Sequence, residues 1–211
     1  MSRGEKAKQD ILDAAERLIA EHGIQVPLRD IAVAAGQRNN SAVNYYFRNR
    51  QDLIDAVVKR RLGPMEVQRR RMLDAAVAGE CVSVEGLLRV MVVPFFSVES
   101  LYYARFLQAV ALHLRTDPDQ THGSVWPQIV DQLSRAVPTT DRRARRRRVG
   151  AVATAMFALL AEHEQRAHVD PATAATADEI IAMLSAMLTT PLPPAGRTPE
   201  SCATRPNAGT A

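Results

Sequence analysis

Cysteine is scarce in this chain of 211 residues: Cys81 and Cys202 are the two present, far apart and in no C-x-x-C pair. The sequence therefore points to neither a disulfide framework nor a zinc site. Aromatic residues make up only 5%, with one tryptophan, Trp126. No apolar run approaches the ~20 residues needed to span a bilayer, and Met1-Ser2-Arg3-Gly4 leads into a charged helix rather than a signal peptide. The expectation is a cytoplasmic protein with no membrane partner. Nucleotide and nucleophile signatures are also missing: there is no P-loop, G-x-S-x-G or G-x-G-x-x-G. The segment His163-Glu164-Gln165-Arg166-Ala167-His168 has the composition of a zinc-protease helix but the wrong spacing. Histidines five apart diverge by about 140° around a helix and cannot face one metal as an i, i+4 pair does. Catalysis, metals and cofactors are thus not expected.

What the chain has is helical periodicity and a divided charge. Hydrophobic residues make up 46%, β-branched clusters are few, and Ala, Leu and Arg are abundant in long 3.6-period stretches, which predicts an all-α protein. Residues 1–71 carry 14 Lys+Arg against 9 Asp+Glu, whereas 72–211 carry 13 against 14. A basic head joined to a near-neutral body suits a phosphate-binding partner.

The stretch Leu28 to Val58 organises the head. Leu28, Ile31, Ala32 and Ala35 fall at helical spacing and stop at Gly36, which can adopt the φ > 0 that ends a helix. A second short segment, Asn40 to Tyr46, can turn Val43 and Phe47 inward while Asn40, Ser41, Asn44 and Tyr45 stay free. Two short helices around a tight turn read as a helix-turn-helix, the second being the reader of a major groove. Helix 1, from about Glu5 to His22 with Gly23 ending it, packs across the pair. Asn49 is a candidate N-cap for the next helix, with Asp52 three positions on.

These residues resemble a known family. RDIAVAAG, then AVNYYF, then RNRQDLIDAVV is similar to the DNA-binding module of the tetracycline-repressor (TetR) family, whose pattern is R-D-I-A-x-x-A-G, a turn, L-Y-x-H-F and a K/R-rich start to helix 4. The resemblance covers roughly residues 5 to 60. It departs from the pattern by one extra residue between Gly36 and Phe47, and by Asn44 at the place of the customary phosphate-binding tyrosine. Tyr45 or Tyr46 is left to take that role, and one of the two can instead be buried against helix 1. The resemblance implies an N-terminal helix-turn-helix domain (1–50) and a helical effector-binding and dimerisation domain (51–190) joined through helix 4, while the Pro- and small-residue-rich composition of the tail (191–211) predicts disorder. The resemblance also places a basic residue, Arg50, at the mouth of helix 4 against a phosphate. The DNA-binding set is accordingly Arg29, Gln37, Arg38, Asn39, Asn40, Ser41, Asn44, Tyr45, Tyr46 and Arg50. Of these, Arg29 can equally pair with Asp30 or Asp52.

In the body the sequence predicts that helix 4 stops at Gly63-Pro64 and that a separate polar helix, Met65 to Asp74, exposes Arg69, Arg70 and Arg71 and closes at Gly79. Pro94 should end or kink an apolar helix near Val93. Leu101 to Leu114 reads as a buried helix with Tyr102, Phe106, Ala109 and His113 on one face, followed by a break at Thr116 to Asp119. Further helices are expected from about Ser124 to Val137, from the Thr139–Asp141 caps to about His168, and beyond Pro171. The run Arg142 to Arg148 reads as a solvated, partly acid-paired face, with a second nucleic-acid surface as the alternative. The resemblance implies a homodimer formed by the last two helices, with candidate interface residues Val152, Leu160, Ile180, Met183, Leu184, Met187 and Leu188. It implies as well a small-molecule effector, lipophilic or aromatic, with candidate lining residues Phe95, Tyr102, Phe106, His113, Trp126, Met156 and His163. For each of these, core packing is the competing role. The expected function is a DNA-binding transcriptional regulator, a repressor that binds a palindromic operator in double-stranded DNA as a dimer and is released by the effector. The alternative is a DNA-binding or architectural protein without one.

Overall fold

The computed structural model describes residues 2–37, 41–78, 83–114 and 124–191, and among these residues every regular element is helical. The helices are α1 (Arg3–His22), α2 (Leu28–Ala34), α3 (Ser41–Tyr46), α4 (Arg50–Ala78), α5 (Val84–Val92), α6 (Tyr103–Val110), α7 (Trp126–Ala136), α8 (Arg142–Val169) and α9 (Ala177–Thr189). Short 3-10 turns follow α5, α6 and α8, at Val93–Ser97, Ala111–His113 and Pro171–Thr173. No helix of the described residues is long and apolar enough to cross a membrane.

Local chemistry sets most of the boundaries. Ser2 caps α1 by accepting from the Glu5 amide, and α1 and α2 both run out at glycines in left-handed conformation, Gly23 (φ 82°) and Gly36 (φ 69°). Asn49 accepts from the Asp52 amide at 2.9 Å, while the Asp52 carboxylate accepts from the Arg48 amide at 3.1 Å. That is the capping arrangement expected, shifted back by one residue. Thr176 and Glu179 form a full reciprocal capping box on α9. Pro94 ends α5 as expected and tightens the chain into the 3-10 turn.

One expectation fails at Pro64. Instead of two helices, a single 29-residue α4 runs through it. The ring removes the donor that would serve the Arg60 carbonyl. Packing compensates on one face: Met65, Arg69 and Leu73, at i, i+4 and i+8, are all buried, while Gly63 and Pro64 themselves lie exposed. Arg69 is thus no part of a solvated face. At 1% exposure its guanidinium reaches Glu66 Oε1 at 2.8 Å and lies between the rings of Phe95 and Trp126, 5.6 and 5.3 Å from their centres. The other oxygen of Glu66 accepts from the Val125 amide at the start of α7. The predicted stop at Gly79, the break at 116–119, both cysteines and the tail from 192 lie outside the described residues.

Two hydrophobic clusters result. The first joins α1, α2 and α3 to Leu53, Ile54, Val57 and Met65 of α4 and to Tyr103, Phe106, Leu107 and Val110 of α6. The second joins α5, α7, α8 and α9 around Leu88, Ile129, Met156, Ile180 and Leu184. Helix α6 is shorter than predicted, and an acid from far along the chain holds its start. Glu164 of α8 accepts from the Ala104 and Arg105 amides at 2.9 and 3.1 Å, and from Arg105 Nε at 3.3 Å. Burial raises the pKa of this carboxyl, against the opposing pull of the two amides and the guanidinium.

Candidate nucleic-acid interface

Helix α3 is only six residues long and could not stand alone. It is held by Val43 and by Phe47 just beyond its end, both buried in the cluster shared with α1, α2 and α4. With that face fixed, Asn44 and Tyr45 must project outward, and Tyr45 is 82% exposed. Tyr46 turns the other way. It is half-buried against the head's core, with its hydroxyl beside the backbone of Gly4 in α1, and its ring meets that of Tyr45 edge-on at 4.9 Å. The structure thus separates the two tyrosines the sequence left equivalent. Tyr45 is presented and Tyr46 is a buttress.

The other predicted contacts fall into three groups. Arg29 is exposed with its Nε 3.4 Å from Asp30 Oδ1, so of its two possible acid partners the neighbouring one is used. Gln37 is half-buried and donates to the Ala35 carbonyl at 3.2 Å, which staples the turn. Arg50 is also half-buried, and its Nη1 donates to the Ile24 carbonyl at 2.7 Å. That bond ties the start of α4 to the loop between α1 and α2 and leaves the remaining guanidinium donors for another partner. Ser41 opens α3, and Arg38, Asn39 and Asn40 lie outside the described residues.

Arg48 was missed by the sequence reading. It is strongly exposed directly after Phe47, with Nε 3.8 Å from Asp52 Oδ2. Its signal was its place, a cation in the three-residue gap between reader and connecting helix, within the K/R-rich stretch that the resemblance already marked. Lys8 of α1 adds another exposed cation beside the same end of α3, with Nζ 5.9 Å from the centre of the Phe47 ring. Asn44, Tyr45, Arg48 and Lys8 together present an uncharged hydrogen-bonding centre with cations beside it, on a helix end whose inner face is immobilised. Such a surface can meet base edges with the amide and phosphates with the cations.

The body residues proposed to line an effector site do not converge. Phe106 and Met156 are wholly interior, in different clusters. Tyr102 is half-buried under the Arg105 guanidinium, and the buried tyrosine is its neighbour Tyr103, whose hydroxyl burial pushes far above its ordinary pKa. His113 is exposed, not aligned with Phe106 inside, because α6 ends at Val110 and the 3-10 turn rotates it outward. Trp126 is half-buried against Arg69. Of the seven, Phe95 and His163 share a cavity, about 150 Å³, with Phe96, Leu101 and Leu160. There His163 Nδ1 lies 2.8 Å from the Ala175 carbonyl and its ring 4.3 Å from that of Phe96. No cluster of His, Cys, Asp or Glu able to hold a metal occurs among the described residues.

The proposed dimer residues divide similarly. Val152, Leu160, Ile180, Leu184 and Leu188 are buried in this chain's own core, because α9 packs its stripe inward on α5 as well as α8. Met183 and Met187 are 41% exposed each. They stand on the outer side of the pair with Ala151, Leu159, Ala182 and Ala186.

Residues 11–57 match the model of bacterial regulatory proteins of the tetR family. The HTH-type transcriptional dual regulator CecR of Shigella flexneri is 41% identical over 51 residues, 24% of this chain and 22% of that protein, so the chain spans less than a quarter of the length of the curated relative it matches. A crystal structure from Rhodococcus sp. RHA1, described as a candidate transcriptional regulator, is 18% identical, covering 88% of this chain and 96% of that one at a TM-score of 0.42. The matched residues run from the middle of α1 into the first turns of α4 and enclose Val43, Asn44, Tyr45 and Phe47. Through these residues the head of the chain is similar to the helix-turn-helix segment of the tetR family.

Proposed function

We infer that this chain is a transcriptional regulator that reads a palindromic operator as a dimer, with α3 of each copy in a major groove. One observation carries the reading: within a family-matched helix-turn-helix, Val43 and Phe47 are locked inside while Asn44 and Tyr45 face out. Asn44 pairs with an adenine edge, a contact worth ~1–3 kcal/mol of discrimination, Tyr45 meets a phosphate or a thymine methyl, and Arg48, Lys8 and Arg29 meet phosphates. Reading heads of one symmetric dimer fall ~34–36 Å apart on successive major grooves, or further apart in a wider arrangement of the same symmetry. The contact between copies is made by the outer face of α8 and α9, with Met183 and Met187 its apolar centre and alanines allowing close approach.

Repression relieved by a small apolar effector is the regulatory form of this reading. The Phe95–His163 cavity is its entry point, and it must widen, since pockets for drug-sized ligands measure ~300–1,000 Å³. A regulator that binds DNA without an effector is favoured by one observation, the close packing of Phe106 and Tyr103 against the head and of Met156 within the body's own core. A mobility-shift titration decides both points. DNA flanking the chain's own gene should be retained over scrambled duplex of equal length, and a panel of lipophilic and aromatic metabolites should or should not release it. Equal retention of both DNAs would defeat the operator reading.

A further inference from the structure

Helix α8 opens with six arginines in seven positions, Arg142, Arg143, Arg145, Arg146, Arg147 and Arg148. Two are structural. Arg145 Nη2 donates to the Thr139 carbonyl at 2.8 Å, and Arg148 reaches the carbonyls of Leu188 and Thr190 at the end of α9. The other four, Arg142, Arg143, Arg146 and Arg147, are exposed, and their side chains make no hydrogen bond or ion pair among the described residues. The one acid beside them, Asp141, has turned its carboxylate to the Arg143 amide at 2.8 Å.

The four lie at i, i+3 and i+4 relations and make one continuous patch. Nothing in the fold calls for them there. They sit at the helix end where the macrodipole disfavours cations, and each repels the next, so the folded chain carries them at a cost. An external polyanion would offset both terms. The patch is also set back from the head: α8 passes the end of α1 at Ala158 to Gln165, and the four arginines lie about 16–24 Å earlier along its axis.

Three anionic partners are chemically conceivable, and two fit poorly. A lipid surface engages cations interleaved with large apolar side chains, whereas from Arg142 to His168 no large apolar residue is exposed. A second copy would have to offer free carboxylates, yet the acids of the same helix pair are engaged: Glu162 with Arg166, Asp178 with Arg89, and Glu179 in the α9 cap. Guanidinium clusters suit phosphodiester oxygens, which accept their forked donors in pairs. We propose that Arg142, Arg143, Arg146 and Arg147 form a second, sequence-independent surface on the body that binds the phosphate backbone of double-stranded DNA.

The test is a fluorescence-anisotropy titration of a labelled random-sequence duplex against the full chain over a range of salt concentrations. Replacing all four (Arg142→Gln, Arg143→Gln, Arg146→Gln, Arg147→Gln) should weaken binding at low salt at least tenfold and make the log–log salt slope shallower by about three to four, at ~0.9 per phosphate lost. The same four changed to lysine should keep the slope. If the quadruple glutamine variant does not melt cooperatively, Arg146→Gln with Arg147→Gln should give about half the change in slope. An unchanged slope overturns the proposal. So does loss of the dimer in sedimentation of the glutamine variant, or capture of the parent chain alone by phosphatidylserine vesicles with DNA binding unaltered. Failure of the operator reading would look different, as equal affinity of the parent chain for operator-like and random duplex, with the arginine-dependent slope intact.

Discussion

Glu16 of α1 and Arg60 of α4 meet at 2.7 Å, with the glutamate 2% exposed. The same carboxylate takes Arg61 at 3.1 Å through both of its oxygens and accepts from the Ser100 hydroxyl, while Arg61 also donates to the Glu99 carbonyl. A single acid therefore binds the reading head, the connecting helix and the body together. Removing it should be costly, because Arg61 loses the charge it was folded around and Arg60 is left with Asp13, at 2.7 Å. Glu16→Ala is expected to destabilise by about 3 kcal/mol, the low end for a broken buried pair since both arginines keep some access to water. Denaturant unfolding checks this. A loss under about 1 kcal/mol, the range of surface pairs, would mean the network is ornamental.

The adjacent tyrosines of α3 should separate stability from recognition. Tyr45→Ala removes an exposed ring and is expected to leave stability within about 0.5 kcal/mol while weakening DNA retention. Tyr46→Ala removes the buttress against α1, and should lower stability by about 1–3 kcal/mol and weaken DNA retention only through that loss. Paired melting curves and mobility shifts would show it. Equal effects of the two substitutions on both readouts would contradict the assignment.

Arg69 gives a signed comparison. Glu66→Gln leaves a guanidinium at 1% exposure without its counter-charge and is expected to cost about 3–5 kcal/mol. Arg69→Met removes the charge but keeps the apolar stem between Phe95 and Trp126. Adding Arg69→Met to Glu66→Gln should therefore recover part of the loss, a positive coupling readable in a double-mutant cycle.

The α9 cap predicts a pH response. Hydrogen bonds from the Thr176 amide first and its hydroxyl second hold Glu179 below its ordinary pKa of 4.5. A carboxyl depressed in the folded state stabilises fully above its unfolded pKa and ceases to as pH falls through its folded one. The Tm difference between the parent chain and Glu179→Ala should thus be steady above about pH 4.5 and shrink below it. A difference that grows on acidification would refute the capping role.

How much of this was legible beforehand follows from the kind of interaction involved. Gly23, Gly36, Asn49 and Pro94 act within a few residues of themselves, and the elements they bound were predicted closely. Val43 and Phe47 were legible because periodicity names the inner face of a helix even when it is short. What could not be read were choices made by distant partners. Arg69 looks like surface beside Arg70 and Arg71 until Glu66, Phe95 and Trp126 are brought around it. Pro64 looks like a terminus unless the buried faces of Met65 and Leu73 are known to carry the helix past it. The inward stripe of α9 fitted a contact between copies as well as it fitted α5 and α8, and periodicity cannot say which surface a stripe meets. His113 was misplaced by one helical turn that ended early.

The carboxylate that closes the start of α6 belongs to a residue 60 positions away from the first amide it holds. A cap drawn from Ser, Thr or Asp next door is in place as soon as the turn forms, but Ala104 and Arg105 have to wait for α8 to arrive. Helix α6 should therefore be among the last segments to gain protection from amide exchange during refolding, and its slow arrival would set the pace at which the head finds its seat on the rest of the molecule.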